Sequence, residues 1–352
     1  MLFFRDKLKH RVSFHTLLAF FFIVLMGCEK DTQEPEAALP LLQVPSYFPE
    51  QVYQFENNPI SKERIALGRM LFYDPQLSSD GTISCASCHH QSAAFSDPGL
   101  ATSFGVKGVT GSRNSPALFN LLWKDRFMWD GGINHIEVMP VAPITEKNEM
   151  NETLVGVAQK LNRNVTYKQQ FKTAFGEDSI TSAMYLKALA QFMSTLVSAN
   201  AKYDDVLLGE ASFTEMEANG YELFKNNCNS CHTEPLMTSN GYANNGIVKA
   251  ANDSGRFRIT LNPDDFSKFK IPSLRNVALS YPYMHNGSIA TLEDVIEHYS
   301  TNIQPSETLA PELSEPFSFT EKEKEELLAF LNTLTDYQFI NNTSFSPPSS
   351  IP

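Results

Sequence analysis

Cysteine and histidine stand together twice in this chain. In GTISCASCHHQSAAFSD, residues 81–97, Cys85, Cys88 and His89 form C-x-x-C-H, and in NNCNSCHTEP Cys228, Cys231 and His232 form it again. Two thiols three residues apart lie on one face of a helical turn. Both can then reach the two vinyl groups of one porphyrin, and the adjoining imidazole is set to ligate its iron from below. This is the attachment signature of a c-type haem. One copy alone leaves a zinc knuckle and a redox dithiol open, because both also use C-x-x-C. The second copy narrows the choice. Each motif follows G-x-x-L-F, in GRMLFYD from Gly68 and in GYELFKN from Gly220, which is an internal repeat of one haem-binding unit. Of five cysteines, four sit in the motifs and the fifth is Cys28. No thiol pair is left for a disulfide once both motifs hold haem, and the histidines that a zinc finger would need at close spacing are absent. Two covalently bound haem c groups are expected.

The elements that must hold these motifs are helical. SKERIALGRMLF opens on Ser61 as a cap and repeats apolar residues at Ile65, Leu67, Met70 and Leu71. SAMYLKALAQFMSTLVSA (182–199) reads as a long buried helix. TEMEANGYELF begins with the capping-box pair Thr214 and Glu217 and leads into the second motif. TEKEKEELLAFLNTLT repeats that box with Thr320 and Glu323. Strand signals are sparse, with GRFRITL the best candidate. The connections 96–116, 130–152 and 234–272 are long and rich in Gly, Pro and Asn. Such loops argue against a compact domain, unless a haem supplies the apolar core around which they pack. The expected fold is mainly α, with two cytochrome c-like haem domains in tandem and long loops packed around the haems.

The N-terminus carries Arg5, Lys7, Lys9 and Arg11, then an apolar run from Leu17 to Met26, then Gly27 and Cys28. That run suits a signal peptide better than a membrane span. LMGC is similar to a bacterial lipobox, so residues 1–27 are read as a lipoprotein signal peptide and Cys28 as a lipid anchor to a membrane. The polar segment 28–47 is expected to be a flexible tether. A first haem domain over 48–205, a second over 206–340 and a disordered tail over 341–352 complete the expected organisation. With 42% hydrophobic residues the chain can bury sizeable cores, and a net charge of -12 argues against nucleic acid as a partner.

Several further stretches carry a resemblance. GRMLFYDPQLSSDGTISCASCHH, GSRNSPALFN, FMWDGG, NEM and FKIPSLRNVALSYPYMHNGS closely resemble the bacterial dihaem cytochrome c peroxidase and MauG family, over about residues 50–336. The resemblance implies a peroxidatic haem in the first domain, an electron-transfer haem in the second and one calcium ion between them. It also implies attachment of haem outside the cytoplasm, hence a periplasmic or cell-envelope location. By the same resemblance His89 is the proximal ligand of haem 1, and Glu149 is the distal acid that moves a proton between the peroxide oxygens. Pro143 matches a distal-pocket proline. Trp129 matches the tryptophan lying between the haems, whereas Trp123 has no match and reads as packing. Asn114, Ser280 and Pro282 match the calcium donors, oxygen ligands suited to that ion.

The departures from the family pattern are equally informative. Members that need reductive activation carry a histidine in the loop before RNSP, which caps the peroxidatic iron at rest. Here the loop reads SFGVKGVTGSRNSP, and Val106 occupies that place. An open haem 1 is expected. The family's distal glutamine is Met139 here. The axial methionine of haem 2 falls on Tyr299, as in the MauG branch, whose tyrosinate oxygen favours ferric iron. His298, Met284 and His285 remain rivals for that ligation.

These residues imply an exported dihaem enzyme that reduces hydrogen peroxide at haem 1, with electrons from a small donor cytochrome or another redox protein passing through haem 2. A MauG-like oxidation of a protein or organic substrate is the alternative within the class. A non-catalytic electron-transfer cytochrome and a haem sensor are the alternatives outside it. A homodimer is among the expectations.

Overall fold

The structure is a computed structural model that describes residues 41–247 and 253–352. The signal peptide and Cys28 lie outside the described residues, as does the tether up to residue 40.

The described chain from Leu41 onward is one compact unit. Its helices are α1 (Lys62–Tyr73), α2 (Val141–Thr145), α3 (Leu154–Arg163), α4 (Val165–Phe175), α5 (Ser182–Thr195), α6 (Lys202–Leu207), α7 (Glu215–Asn227), α8 (Phe257–Thr260), α9 (Leu292–Glu297), α10 (Glu321–Asn332) and α11 (Tyr337–Ile340). A two-stranded antiparallel sheet, β1 (Tyr242–Ala243) on β2 (Phe269–Lys270), pairs Tyr242 with Lys270. Helix starts follow the sequence signals. Ser61 accepts from the Arg64 amide at α1, and the reciprocal boxes Thr214–Glu217 and Thr320–Glu323 open α7 and α10.

Two hydrophobic cores form. The first gathers Leu71, Phe72, Phe95, Phe171, Leu189 and Phe192, and the second gathers Tyr203, Phe224, Met237, Ile296, Phe330 and Leu334. The repeated G-x-x-L-F explains their likeness. A Cβ on Gly68 would fall 1.9 Å from the Ala188 carbonyl oxygen of α5, and a Cβ on Gly220 would fall 1.9 Å from that of Glu326 in α10. At each site the missing side chain lets two helix backbones touch. One helical turn later, Phe72 meets Phe192 and Phe224 meets Phe330, at ring separations of 5.3 and 5.0 Å.

Three expectations change. GRFRITL is not a strand: Phe257–Thr260 is a helical turn, which lets Arg256 and Arg258 reach Asp265 and Asp130. Tyr47, at the end of the expected tether, is fixed by its hydroxyl on the Ala199 carbonyl, 2.9 Å away. The expected disordered tail from 341 does not describe residues 341–346. Phe345 is buried in the first core, and Arg69 and Tyr73 donate to the carbonyls of Ser346 and Phe345, each at 2.7 Å. Polar composition concealed one aromatic with a place to go.

Candidate active site

Both C-x-x-C-H motifs sit on tight turns. Cys85–Ser87 is a single 3-10 turn, closed by the Cys88 amide on the Cys85 carbonyl at 3.2 Å. Residues i and i+3 eclipse in such a turn, so Cys85 and Cys88 share a side. Cys228 caps α7, and the amides of Cys231 and His232 both return to its carbonyl, at 3.2 and 2.9 Å. Burial pushes the thiols up, Cys85 and Cys228 to about 12 and Cys88 to about 11. Among the described residues no cluster of His, Cys, Asp and Glu could hold a metal ion by itself.

The two histidines are prepared alike. His89 Nδ1 lies 2.8 Å from the Phe95 carbonyl, and His232 Nδ1 lies 3.0 Å from that of Pro272. A carbonyl only accepts, so Nδ1 carries the hydrogen in both rings and Nε2 keeps its lone pair for a metal. Burial pushes both pKa values down to about 4, which keeps the imidazoles neutral.

Both motifs open onto one continuous cavity of about 930 Å³. Its lining includes Lys124, Arg126 and Lys270. Burial pushes Lys124 down to about 7, with the Lys270 charge adding to the effect, and burial pushes Lys270 down to about 8. Lys124 is held over the Phe119 ring and Lys270 donates to the Asn240 carbonyl. Thiols, metal-ready imidazoles, an apolar wall and basic side chains whose charge a carboxylate would restore together fit two haems with their propionates.

The expected distal residues Glu149, Pro143 and Met139 all line the His89 end of this cavity. α2 carries Pro143, and the turn after it brings Glu149 back, with the Met150 amide on the Pro143 carbonyl at 3.1 Å. The exposed surface of Glu149 includes the cavity wall. Burial raises its pKa and the nearby Glu146 raises it further. Val106 is buried, and its amide donates to the Glu149 carbonyl at 2.8 Å, which ties the Val106 loop to the distal wall.

Trp129 also lines the cavity. Its Nε1 donates to the Asn114 carbonyl at 2.8 Å, and its own carbonyl accepts from the Lys270 amide at 2.7 Å, so it bridges the two halves of the chain. Trp123 does not line the cavity; it packs on Phe48. Asn114, Ser280 and Pro282 all line the cavity. The Asn114 amide nitrogen lies 3.3 Å from each of the Leu100 and Ala101 carbonyls.

At the His232 end the rivals separate. Tyr299 and Met284 line the cavity, and so does His285, whose ring stacks on Phe269 at 3.6 Å. His298 is buried outside the lining, its Nε2 bound to the Asn245 carbonyl at 2.9 Å. Burial pushes Tyr299 up to about 12. Asn245, which sequence reasoning missed, joins these groups. Its amide nitrogen lies 3.1 Å from the Met284 sulfur and 3.4 Å from the Tyr299 hydroxyl. Nothing in GYANNG marks Asn245, nor do the local sequences around Lys124 and Lys270 mark them as cavity residues.

Comparison with known proteins agrees with this geometry. The family model for di-haem cytochrome c peroxidase matches residues 62–212, and that for cytochrome c matches 217–335. The chain is 37% identical to methylamine utilization protein MauG of Methylorubrum extorquens, covering 81% of this chain and 82% of that protein. It is 35% identical to a cytochrome c551 peroxidase of Nitrosomonas europaea, covering 83% and 86%. Among solved structures, a MauG-like protein associated with microbial copper homeostasis superposes with a TM-score of 0.79 at 33% identity, over 87% of this chain and 98% of that one. The diheme peroxidase BthA of Burkholderia thailandensis shares the fold, with a TM-score of 0.70 at 22% identity over 84% and 92%. With two cytochrome c domains that carry two haem c groups, this chain belongs to the di-haem cytochrome c peroxidase and MauG family of oxidoreductases.

Proposed function

We propose that this chain reduces hydrogen peroxide to water at the haem held by Cys85, Cys88 and His89. Electrons come from a small donor cytochrome and pass through the haem held by Cys228, Cys231 and His232. The carrying observation is Glu149 on the cavity wall, bonded through its carbonyl to a loop in which buried Val106 takes the sequence place of the family's capping histidine. Bound haem supplies the electrons that break the O–O bond. Glu149 accepts a proton from one peroxide oxygen and returns it to the other, so that the departing oxygen leaves as water. Pro143 and Met139 wall the distal pocket without competing for that proton. Trp129 sits on the seam as an aromatic relay between the two halves.

For haem 2 we take Tyr299 as the second axial ligand. Its position on the cavity wall supports this, as does the engagement of His298 elsewhere. We also take Asn114 with the Ser280 and Pro282 carbonyls as a calcium site, since their oxygens suit a hard cation. Export and a lipid anchor at Cys28 belong to the same reading.

The test mixes fully ferric holoprotein with stoichiometric peroxide and follows the Soret band. A fast change supports an open haem 1. No change until one haem is reduced would overturn that reading and expose a hidden distal ligand. Tyr299 also favours a second reading, MauG-like oxidation of a protein or organic substrate, because a tyrosinate lowers the potential of haem 2. Steady-state peroxide turnover with a reduced small cytochrome separates the two readings: rapid oxidation of the cytochrome favours the peroxidase.

A further inference from the structure

The carbonyl that fixes His89 belongs to a strained residue. Ala94 and Phe95 have φ of 54° and 61°, two consecutive non-glycine residues in the left-handed region. Such backbone persists only where its surroundings over-determine it. Part of the restraint is local: the Phe95 amide donates to the His90 carbonyl at 2.8 Å, and Phe95 packs edge-on against Phe72.

The rest comes from the chain that leaves the second core after α10. After α10 the chain turns at Asp336, which is fully buried. Its carboxylate caps α11 through the Phe339 amide and accepts from Ser198 and from the amides of Ala199 and Asn200. From that anchor the chain crosses back to the first core. Phe339 packs edge-on against Phe95 at 5.7 Å, and Phe345 packs against Phe95 at 6.5 Å and Phe339 at 5.5 Å. Gln91, two residues after His89, donates to the Asn342 carbonyl at 2.8 Å and accepts from the Ser346 hydroxyl at 3.0 Å. Residues 336–346 thus grip the 90–95 loop through the Gln91 side chain and the Phe95 ring.

We propose that residues 336–346 are a positioning strap for haem 1: by clamping Gln91 and Phe95 they fix the carbonyl that orients the His89 imidazole. Phe339, Phe345 and Gln91 act through His89 and touch no reacting atom. The inference rests on His89 as the proximal ligand. The strap also makes the proximal side of haem 1 depend on the position of α10, which belongs to the core that holds haem 2.

The test uses ferric holoprotein of Phe345→Ala and Gln91→Ala, with Phe345→Leu as the conservative control. The readouts are the electron paramagnetic resonance signals of the two haems, the rate of reaction with stoichiometric peroxide, and the melting temperature. Partners of metal-ligating histidines typically matter by 10–100-fold. A strap acting one residue removed is expected to slow the peroxide reaction about 10-fold, to shift the haem 1 signal and to leave haem 2 unchanged, with Phe345→Leu restoring most of the effect. Gln91→Ala keeps the aromatic packing, so it reports on the strap if Phe345→Ala yields no folded protein. Unaltered haem 1 signals and rate in the folded variants, even with a lowered melting temperature, would overturn the proposal. His89→Ala tests the underlying assignment separately: if the haem 1 signal survives it, the ligand assignment is what failed.

Discussion

In the proposed reaction Glu149 is needed for its residue type, because only a group that both takes and gives a proton can serve both peroxide oxygens. Glu149→Gln keeps the shape and loses that capacity. Its reaction with stoichiometric peroxide should slow by about 10²–10⁴-fold, with the resting ferric spectrum unchanged, as stopped-flow absorbance would show. The pH dependence has a definite sign. Burial and Glu146 raise the Glu149 pKa, and only its ionised form accepts a proton. The rate should therefore rise with pH, through a midpoint above the ordinary glutamate value of about 4.3, and Glu149→Gln should lose that limb. On the proposed assignment of haem 2, Tyr299→Met replaces a hard anionic donor with a thioether and should raise the potential. A spectroelectrochemical titration that finds the haem 2 potential unmoved would turn attention to Met284, which shares the Asn245 amide with Tyr299. The C-x-x-C-H residues were legible because their chemistry demands fixed spacing. Asn245, Lys124 and Lys270 were not, because each reaches the cavity from a separate stretch of the chain, Lys270 from β2, through a fold that local sequence does not encode.

At the scale of elements, the repeated glycine sets how closely α1 meets α5 and α7 meets α10. Gly68→Ala and Gly220→Ala would each gain about 1 kcal/mol of helix propensity. Against this stands a Cβ that meets a backbone oxygen 1.9 Å away, which no side-chain rotation can relieve. Overpacking of this kind costs about 1–3 kcal/mol, and a backbone obstacle belongs at the upper end. Both variants should melt below the parent protein in a thermal scan, and unchanged melting would mean that the helices part freely. The same crossings show why helices were readable from sequence: capping boxes and apolar periodicity act locally. GRFRITL was misread because its arginines are engaged by Asp265 on the next turn and by Asp130, which approaches from elsewhere in the fold.

At the scale of the whole molecule, a buried ion pair of the second core reaches the first, with the Arg275 guanidinium 5.0 Å from the centre of the Phe48 ring. Arg275 makes two bonds to Asp204, at 2.9 and 2.7 Å, and both side chains are fully inaccessible. Asp204→Ala would leave the guanidinium buried and unpaired, a loss of about 3–5 kcal/mol, measurable by chemical denaturation of the holoprotein. The tail from residue 341 was the hardest part to read. Its Asn, Ser and Pro content matches a disordered segment, and within it only Phe345 betrays that it docks. That docking has a consequence for how the molecule is made. A chain synthesised and delivered N-terminus first presents the helices of the first core long before residues 337–346 emerge. Domains generally fold in the order of synthesis, yet here the earlier core cannot close its aromatic cluster until the later one has been delivered. Nascent chains halted before Phe339 should therefore leave the first half protease-sensitive, so the completed fold certifies that translation ran through both halves.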